Sequence, residues 1–524
     1  MRLHLTKASV AALVFCSLAT GVSADTLRLA LAGEHQSVDP HFSRTSPNQN
    51  TAAHIFDTLV TIDEAMQRQP SLAVSWKALD DLTWEIKLRE GVKFHDGSDF
   101  DSADVISSVE RVPNVANSPA PFTSSVSMID TIEAVDALTL RVTTKGPTPG
   151  LMQGLGGVYI LPSELGNDVA SAEFDNGNAA IGTGPYKFVS WTPNESLVLD
   201  ANETYWAGAP AYDDVVIRYI PNAASRVATL LAGDVDAIDK VPPADTDTIE
   251  KRDDLKVVDS VSGRVIYLHM DSDREVTPFI TEKDGSEIKN PLRDARVRKA
   301  LSLMLDRGRI VQSILSGKGT PTGQMVPEGF MGFNPAIDVP QADIDEAKRL
   351  LAEAGYPDGF KITIHGPNDR YVNDAKVLQA VSQLFARAGL TSEVQAMPKN
   401  VYFKSASKRE FSVFLVGFGT TSGDSLRGLR QVMATYDKEN GVGTFNRGRF
   451  SNEAFDELVA EASATFDEGE KAELLEQAAQ IGFDQEQGIL PLYFEQLIWG
   501  MDDDITLSTR PIERTLAQNF APKE

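Results

Sequence analysis

The sequence TWEIKLREGVKFHDG occupies residues 83–97 and combines a strand pattern with two turn signals. Apolar and polar side chains alternate over residues 83–89, which predicts a half-buried strand that ends at residues 90–91. The tetrapeptide FHDG at residues 94–97 predicts a tight turn after a second extended run. His95 is therefore interpreted as a turn residue in preference to a metal ligand.

The rest of the chain alternates strand-like and helix-like patterns. Periodicity and stop signals predict helices at residues 102–111 (with Ser102 as N-cap), 223–231, 294–305, 344–354, 375–388, 452–464 and 468–486. Extended patterns predict strands at residues 187–191, 215–220, 360–364 and 411–416. This alternation indicates an α/β architecture with substantial sheets.

The first 24 residues have the pattern of an export signal. Arg2 and Lys7 precede an apolar run at residues 8–20, which is too short to span a bilayer, and the small residues of VSA follow. A buried N-terminal helix is the alternative, but the basic start and small-residue end favour export. We expect cleavage after about Ala24 and a periplasmic location.

Cys16 is the only cysteine of the chain, and it lies within this leader. Phe15 stands before it, where a lipoprotein signal needs a small residue, so Cys16 is predicted to be removed with the signal. The mature protein would then carry no thiol, which excludes disulfides, thiolate metal sites and cysteine catalysis.

Length and charge restrict the possible functions. A chain of 524 residues exceeds what one core usually supports, so two or three domains are expected. The formal net charge of −26 becomes about −28 when the two basic residues of the leader are removed. Such a field repels phosphate backbones and anionic lipid, which argues against a nucleic-acid or membrane partner. After the leader, no run of 18 apolar residues occurs.

Signatures of catalysis, cofactors and metals are weak. GKGT at residues 317–320 lacks the earlier glycine of a phosphate loop and favours a surface turn. DGSDFD at residues 96–101 is out of register for a calcium loop and favours a turn before a helix. The six histidines after the leader show no metal-binding spacing, and Ser425 is not in a nucleophile elbow. No catalytic residue, metal site or cofactor is therefore predicted.

Several segments together resemble the signature of bacterial family 5 extracellular solute-binding proteins, the dipeptide and oligopeptide receptors of ABC importers. The matching segments are LAVSW (72–76), WEIKLREGVKFHDG (84–97), GTGPYKF (182–188), YW (205–206), GDVD (233–236), DARVRKA (294–300), AGYPDG (354–359) and ILPLY (489–493). Each match is weak alone, but they follow the family's order across nearly the whole mature chain.

The resemblance implies a two-lobed periplasmic-binding-protein fold of class II, cluster C type. Lobe I would span residues 25–265, with an extra subdomain at about 60–180, and would return at 496–524. Lobe II would span residues 266–495, and the chain would cross between the lobes near residues 265–271 and 492–500. The solute would be enclosed between the lobes.

The resemblance also implies where a ligand's ammonium group binds. In the family, an acidic residue follows a glycine-aromatic-glycine segment, which here is formed by Gly417, Phe418 and Gly419. Asp424 is therefore the candidate partner of the ammonium group, with a solvated loop aspartate or helix cap as the alternative. The aromatic residue is usually tryptophan, so Phe418 leaves the ligand's identity open.

A second loop is the candidate for binding a carboxylate. A dipeptide receptor of this family places an arginine after a strand that corresponds to residues 360–364, and Arg370 matches it approximately. Its planar fork suits bidentate pairing with a carboxylate, and Tyr371 would line the cavity. A surface arginine is the alternative. Competing cations are Arg427, Arg430, Arg447 and Arg449.

The predicted function is that of a monomeric, non-enzymatic receptor. It would capture a short peptide or related small polar solute and deliver it to an ABC membrane permease. The alternatives within this class are an opine, an oligosaccharide, a glutathione-like solute or a metal chelate. An exported hydrolase and a receptor that only signals to a chemoreceptor are the remaining hypotheses.

Overall fold

The computed structural model describes residues 25–64 and 66–523 as a mixed α/β chain. The predicted signal peptide, with Cys16, lies outside the described residues. The strands are β1 (Thr26–Leu31), β2 (Val60–Ile62), β3 (Arg68–Pro70), β4 (Ala73–Ala78), β5 (Thr83–Leu88), β6 (Ile129–Asp136), β7 (Thr139–Thr144), β8 (Tyr186–Thr192), β9 (Ser196–Ala201), β10 (Asp214–Tyr219), β11 (Ala237–Ile238), β12 (Leu255–Met270), β13 (Ile280–Thr281), β14 (Gly319–Pro321), β15 (Lys361–Pro367), β16 (Thr391–Met397), β17 (Val413–Gly419), β18 (Ile489–Asp502), β19 (Ile505–Leu507) and β20 (Phe520–Pro522). The α-helices are α1 (Ser46–Ile55), α2 (Ser102–Arg111), α3 (Leu151–Leu155), α4 (Ser171–Asp175), α5 (Ala223–Leu231), α6 (Thr246–Glu250), α7 (Ala295–Leu303), α8 (Arg307–Ile314), α9 (Ile344–Glu353), α10 (Asp374–Arg387), α11 (Lys399–Ser407), α12 (Leu426–Gly428), α13 (Glu453–Ala464) and α14 (Glu468–Ala479).

One sheet of twelve strands runs through most of the described chain. Its order is β13-β15-β17-β12-β18-β11-β1-β10-β9-β8, with β14 added to β18 and β16 added to β15. The two longest strands, β12 and β18, pair antiparallel from Leu255 opposite Asp502 to His269 opposite Ile489. They are the elements that continue from one half of the sheet to the other.

Separate cores form on the two sides of this strand pair. On the side of β1, Leu27, Leu29 and Trp499 belong to one apolar cluster. On the side of β15 and β17, one cluster includes Ile364 and another includes Phe414, so both faces of that half of the sheet are covered. The lobe boundaries given above remain a prediction, and the names lobe I and lobe II are kept for those residue ranges.

A smaller sheet, in the order β4-β5-β7-β6, stands apart from the large one. The predicted strand at residues 83–89 is β5, whose Trp84, Ile86 and Leu88 are buried as the alternation requires. These side chains share a core with residues of α2, such as Val105. Both the sheet and α2 lie within residues 60–180.

Most predicted helices are present, with three corrections at their ends. The predicted helix at 468–486 is α-helical only to Ala479 and continues as a π-helix over Gln480–Gln485. Asp101, and not Ser102, caps α2, because its carboxylate accepts the amide of Ala103 in a capping box with Asp104. The predicted helix at 294–305 ends earlier, at Leu303, and α8 begins after a new cap at Asp306. Asp306, three residues after the end of α7, therefore starts a second helix.

The GTG segment at residues 182–184 is held by His95. The backbone amide of His95 donates to the carbonyl of Gly182 at 2.8 Å, and its Nε2 lies 3.0 Å from the carbonyl oxygen of Gly184. A Cβ on Gly182 would lie 1.9 Å from the carbonyl oxygen of Ile55, at the end of α1. The glycine is thus required for a close backbone approach, as expected for a scaffold feature.

The Gly182→Ala variant tests this close approach. Since the added methyl group would overlap backbone that no rotamer change can move, we expect the free energy of unfolding to fall by about 1–3 kcal/mol. Urea unfolding followed by circular dichroism measures the change. Gly146→Ala is the matched control, because a Cβ there meets nothing within 4 Å. Equal stability of the two variants would contradict the packing argument.

Buried neutral histidines predict acid sensitivity. Nδ1 of His54 lies 2.8 Å from the carbonyl oxygen of Asn50, Nε2 accepts the amide of Ala517, and burial lowers the pKa of His54 to about 4. The unfolded side chain, with a pKa of about 6.5, binds its proton first. Stability is therefore expected to fall as the pH drops from about 6.5 towards 4. Denaturant midpoints across this pH range should fall less for His54→Gln than for the parent protein. If the midpoint falls equally steeply with pH in both proteins, His54 does not contribute to the acid sensitivity.

Candidate functional site

The β12–β18 pair is interrupted next to the predicted crossing between the lobes. Regular pairing stops between Val261 and Val265 on β12, opposite residues 494–496 on β18. The neighbouring strand β17 ends at the same place, where Gly419 is paired with Arg264. The predicted Gly417–Phe418–Gly419 segment therefore lies at the crossing, at the carboxyl end of its strand.

Gly417 and Tyr371 are in direct contact. The amide of Gly417 donates to the Tyr371 hydroxyl at 2.8 Å, and a Cβ on this glycine would lie 2.9 Å from the Tyr371 ring. Tyr371 is buried by this contact. The exposed Arg370 guanidinium lies 5.0 Å from the centroid of the Tyr371 ring. Three of the predicted site residues thus form one group at the carboxyl end of β17.

Phe418 points to the opposite face of the sheet, as the alternation of a strand requires. Its ring centroid lies 6.1 Å from that of Phe445 and 5.4 Å from the guanidinium carbon of Arg427. Phe418 is itself buried, but Phe445 is exposed. This face of β17 therefore presents aromatic surface with a cation over it.

Gly419 provides room for a buried ionic group. A Cβ there would meet the guanidinium of Arg264, whose Nε donates to Glu513 Oε1 at 2.7 Å and lies 3.7 Å from Glu495 Oε2. Burial raises the pKa of Glu495. Burial also opposes ionisation of Glu513, but the charge and hydrogen bond of Arg264 outweigh it and lower the pKa of that carboxyl. We name Arg264, Glu495 and Glu513 the hinge triad.

Asp424 lies in the loop after β17 and is nearly buried, with 5% of its surface exposed. Its Oδ2 is 3.7 Å from Nζ of Lys471 on α14, and its Oδ1 accepts a hydrogen bond from Ser422 at 3.2 Å. Backbone hydrogen bonds with Met331 fix the loop on both sides of Asp424. The predicted ammonium partner thus has a cationic neighbour within the protein.

The same loop touches lobe I. Gly423 has a φ of +75°, and a Cβ on it would lie 2.3 Å from the carbonyl oxygen of Met66. A second contact between the lobes joins Trp84 of β5 to Phe466, with ring centroids 5.9 Å apart. Residues of the predicted lobe I and of the predicted lobe II therefore meet at these two contacts, which we name the rim.

The structure separates the predicted residues into two groups. Arg370, Tyr371 and Gly417 lie on one face of β17, whereas Phe418 and Asp424 belong to the other side. Of the competing cations, Arg430 donates to the carbonyl of Asn440, Arg447 lies over the Phe445 ring, and Arg449 lies over the Tyr436 ring. Arg427 differs from them because the charge of Asp424 acts on it, although burial still lowers the pKa of Arg427.

Sequence reasoning missed a cavity lined by residues of the predicted lobe I, whose surface we call the lobe I wall. It is lined by Ser46, Asn50, Lys240, Glu513, Arg514 and Thr515, among others. Helix α1 begins at this wall with no acidic residue in its first turn, so the positive end of its dipole is unopposed. Glu513 belongs to both the cavity and the hinge triad, which makes the polar surface continuous. The sequence feature that could have indicated this surface is the pair of charged residues Arg264 and Glu495, which lie next to mainly apolar segments at the predicted crossings.

Two further searches concern metals and membranes. Over residues 25–64 and 66–523, no group of three His, Cys, Asp or Glu side chains is placed to hold a metal ion. In that same part of the chain, no helix combines the length and apolar character that crossing a bilayer requires.

Comparison with known proteins gives consistent matches. The model of bacterial extracellular solute-binding proteins, family 5, matches residues 67–440. A glutathione-binding protein GsiB of Pectobacterium atrosepticum is 29% identical over 463 residues, which cover 86% of this chain and 85% of that protein. Many further curated proteins and solved structures also match.

Two solved structures show the fold. HbpA2 from Haemophilus parasuis superposes with a TM-score of 0.82 at 22% identity, covering 95% of this chain and all of the other. The periplasmic binding protein DppA from Helicobacter pylori, in complex with the peptide STSA, gives a TM-score of 0.73 at 22% identity and covers 95% and 98%. The predicted α/β periplasmic-binding-protein fold is therefore confirmed.

The family model spans more than half of the chain, and its match includes all the segments on which the resemblance rested except ILPLY at residues 489–493. This chain belongs to family 5 of the bacterial extracellular solute-binding proteins, and it is a substrate-binding protein of an ABC importer and not an enzyme.

Proposed function

We propose that this protein captures a short peptide, or a peptide-like solute such as glutathione, in the periplasm and delivers it to its membrane permease. The observation that supports the proposal is the separation of two opposite charges about the end of β17. Asp424 offers a carboxylate on one side of β17, and Arg370 offers a guanidinium on the other. A zwitterionic peptide presents opposite charges at its two ends and matches such an arrangement.

Asp424 is proposed to bind the ligand's ammonium group. The Lys471 ammonium is 3.7 Å away, which is longer than the 2.7–2.9 Å of a close charge-assisted hydrogen bond. Lys471 therefore balances the buried charge of Asp424 without saturating its carboxylate. A ligand ammonium could approach the free oxygen positions, where burial makes each charge contact strong.

Arg370 is proposed to bind a ligand carboxylate. Its side chain is exposed, and its guanidinium lies above the ring of Tyr371, whose hydroxyl is fixed by the Gly417 amide. The backbone amide of Arg370 donates to Asp374 Oδ2 at 2.9 Å, which fixes the start of its loop. The loop is thus held while the charged fork stays available.

The relatives support this choice of ligand class. GsiB is named for binding glutathione, which is itself a modified tripeptide, and DppA is described with a bound peptide. Neutral oligosaccharides would share the receptor role but carry no ammonium group to pair with Asp424. The leader would be cleaved after about Ala24 on export, and the mature chain would act as a monomer.

An Asp424→Asn variant tests the ammonium assignment. Loss of the buried charge pair is expected to cost about 3–5 kcal/mol of binding free energy, or two to four decades of affinity. Mass spectrometry of solute that co-purifies with the untreated protein identifies the ligand, and titration calorimetry with that solute measures the loss. A loss under threefold would remove Asp424 from the site.

Two controls keep that measurement specific. Because Asp424→Asn also leaves the Lys471 ammonium without its acidic neighbour, this variant can lose stability for a reason unrelated to binding. The double variant with Lys471→Met removes that unpaired charge, so a loss of affinity that remains in it reports lost recognition of the ligand. In addition, an N-acetylated form of the ligand should bind wild type and Asp424→Asn equally. If acetylation leaves the wild-type affinity unchanged, the ammonium contact does not exist.

A further inference from the structure

The cavity at the lobe I wall is small and carries two cations. Its volume is about 50 Å³, whereas one water needs about 10–15 Å³, so the cavity admits a small polar group but not a whole peptide. Lys240 and Arg514 both line it. Within the described parts of the chain, neither has a carboxylate oxygen at 4 Å or less. The cavity therefore keeps positive charge that no acidic side chain contacts.

The acidic side chains that line the cavity are already paired with arginines outside it. Asp239 Oδ1 lies 3.5 Å from Nε of Arg226, and Glu513 Oε1 accepts a hydrogen bond from Nε of Arg264 at 2.7 Å. The charge of Lys240 also acts on both carboxylates, but from beyond contact distance. With the hinge triad included, the cations outnumber the carboxylates by four to three, namely Arg226, Lys240, Arg264 and Arg514 against Asp239, Glu495 and Glu513.

Asn50 adds a buried hydrogen-bond donor that is not used. Only 7% of Asn50 is exposed, and its Oδ1 accepts the backbone amide of Thr515 at 2.7 Å. That bond assigns the other end of the side-chain amide to Nδ2, which donates no hydrogen bond within residues 25–64 and 66–523. The Thr515 hydroxyl accepts the indole N–H of Trp499 at 2.9 Å and keeps its own proton for donation. The cavity thus offers donors and lacks an acceptor for them.

Helix α1 holds Asn50 and Arg514 side by side. Nη2 of Arg514 donates to Oε1 of Gln49 at 3.4 Å, and Asn50 binds the amide of the next residue, Thr515. Consecutive residues of α1 therefore bind consecutive residues of the C-terminal segment. This pairing brings the amide and the guanidinium to the same cavity.

Lys240 is held at the cavity in an uncommon backbone conformation. Its φ is +49°, in the left-handed region that a lysine seldom adopts. The buried guanidinium of Arg226 fixes this turn, because Nε donates to the carbonyl of Asp239 and Nη2 donates to the carbonyl of Lys240, both at 3.0 Å. Such a conformation persists where the surrounding structure determines it, and it is common at ligand sites.

The hinge triad joins the cavity to the predicted site. Glu513 lines the cavity and accepts the hydrogen bond of Arg264, and a Cβ on Gly419 would lie 3.0 Å from Nη2 of Arg264. Gly419 ends β17, where Gly417 contacts Tyr371. One ion pair therefore separates the end of β17 from the cavity.

We propose that this cavity binds a second carboxylate of the ligand, in addition to the one assigned to Arg370, and that Arg514, Asn50 and Lys240 are its donors. The inference rests on the proposed function and narrows its ligand class to acidic peptides and peptide-like diacids. A carboxylate carries only acceptors, so it satisfies these donors together and offsets the surplus positive charge. The whole chain has a net charge of −26, so anion binding requires such a local excess of cations.

Matched ligands test the cavity. Titration calorimetry compares Ala-Glu-Ala with Ala-Gln-Ala, and glutathione with its glycine ethyl ester, so that each pair keeps one carboxylate for Arg370 and differs in a second. We expect wild type to prefer an acidic member by about ten- to a hundredfold, the value of hydrogen bonds to a charged group. Arg514→Met should reduce that preference to under threefold. Arg387→Met, which removes an exposed arginine at the end of α10, should leave it unchanged.

Asn50→Asp is the sharper variant, because it changes one donor group into an acceptor. It keeps the oxygen that accepts the Thr515 amide but places a negative charge in the cavity. The preference should therefore reverse, so that the uncharged member of each pair binds more tightly. Thermal unfolding of the ligand-free variants confirms that they are folded, and Arg514→Met carries the test if Asn50→Asp is not.

The outcomes separate this inference from the proposed function. Equal binding of both members of each pair by wild type, or an acid preference that survives in both Arg514→Met and Asn50→Asp, overturns the cavity site while the peptide receptor stands. Failure of every peptide and of glutathione to bind wild type overturns both.

Discussion

The ion pair between Arg264 and Glu513 is the interaction on which the cleft depends. It sits where regular pairing of β12 and β18 is interrupted, and it joins the end of one crossing strand to the C-terminal segment that returns to lobe I. A buried guanidinium without a partner would carry a large desolvation cost. The close approach of Gly263 to Thr420, whose amide donates to the glycine's carbonyl at 3.0 Å, fixes the backbone around it. The backbone around the hinge triad is thus fixed by close contacts within a long sheet.

The chemistry of the cleft follows from the position of β17. A strand that ends at the hinge presents its last side chains on both faces and passes its loop to the rim. Glycines on one face admit Tyr371 and Arg264, while Phe418 on the other face supports Arg427. One strand end can therefore bring aromatic, cationic and anionic groups together without a dedicated domain.

Much of the fold is predictable from local pattern. The helix at Ala223–Leu231 has the predicted bounds, since an asparagine cap and a glycine stop are both local signals. The cap of α2 was misassigned because Asp101 and Ser102 are both good caps, and only the contact with Asp104 distinguishes them. Strand bounds at the crossing were also missed, because β12 and β18 gain length from pairing with each other.

The site is less predictable, because its partners are distant in sequence. Asp424 and Arg370 could be selected from the resemblance to the family. Tyr371 and Gly417 were selected in the same way, and the two are in contact in the structure. Lys471 could not be foreseen as a partner of Asp424, since it is one charge among many on an amphipathic helix.

The rim is chemically unlike the walls of the cleft. Met66 packs there with Val326, Phe330 and Ile512 in a small apolar cluster, and Ile512 directly precedes Glu513 of the hinge triad. The segment that carries these two residues therefore supports an apolar contact and a buried ion pair at adjoining positions. One short stretch of backbone couples the two, so a displacement of either contact is transmitted to the other.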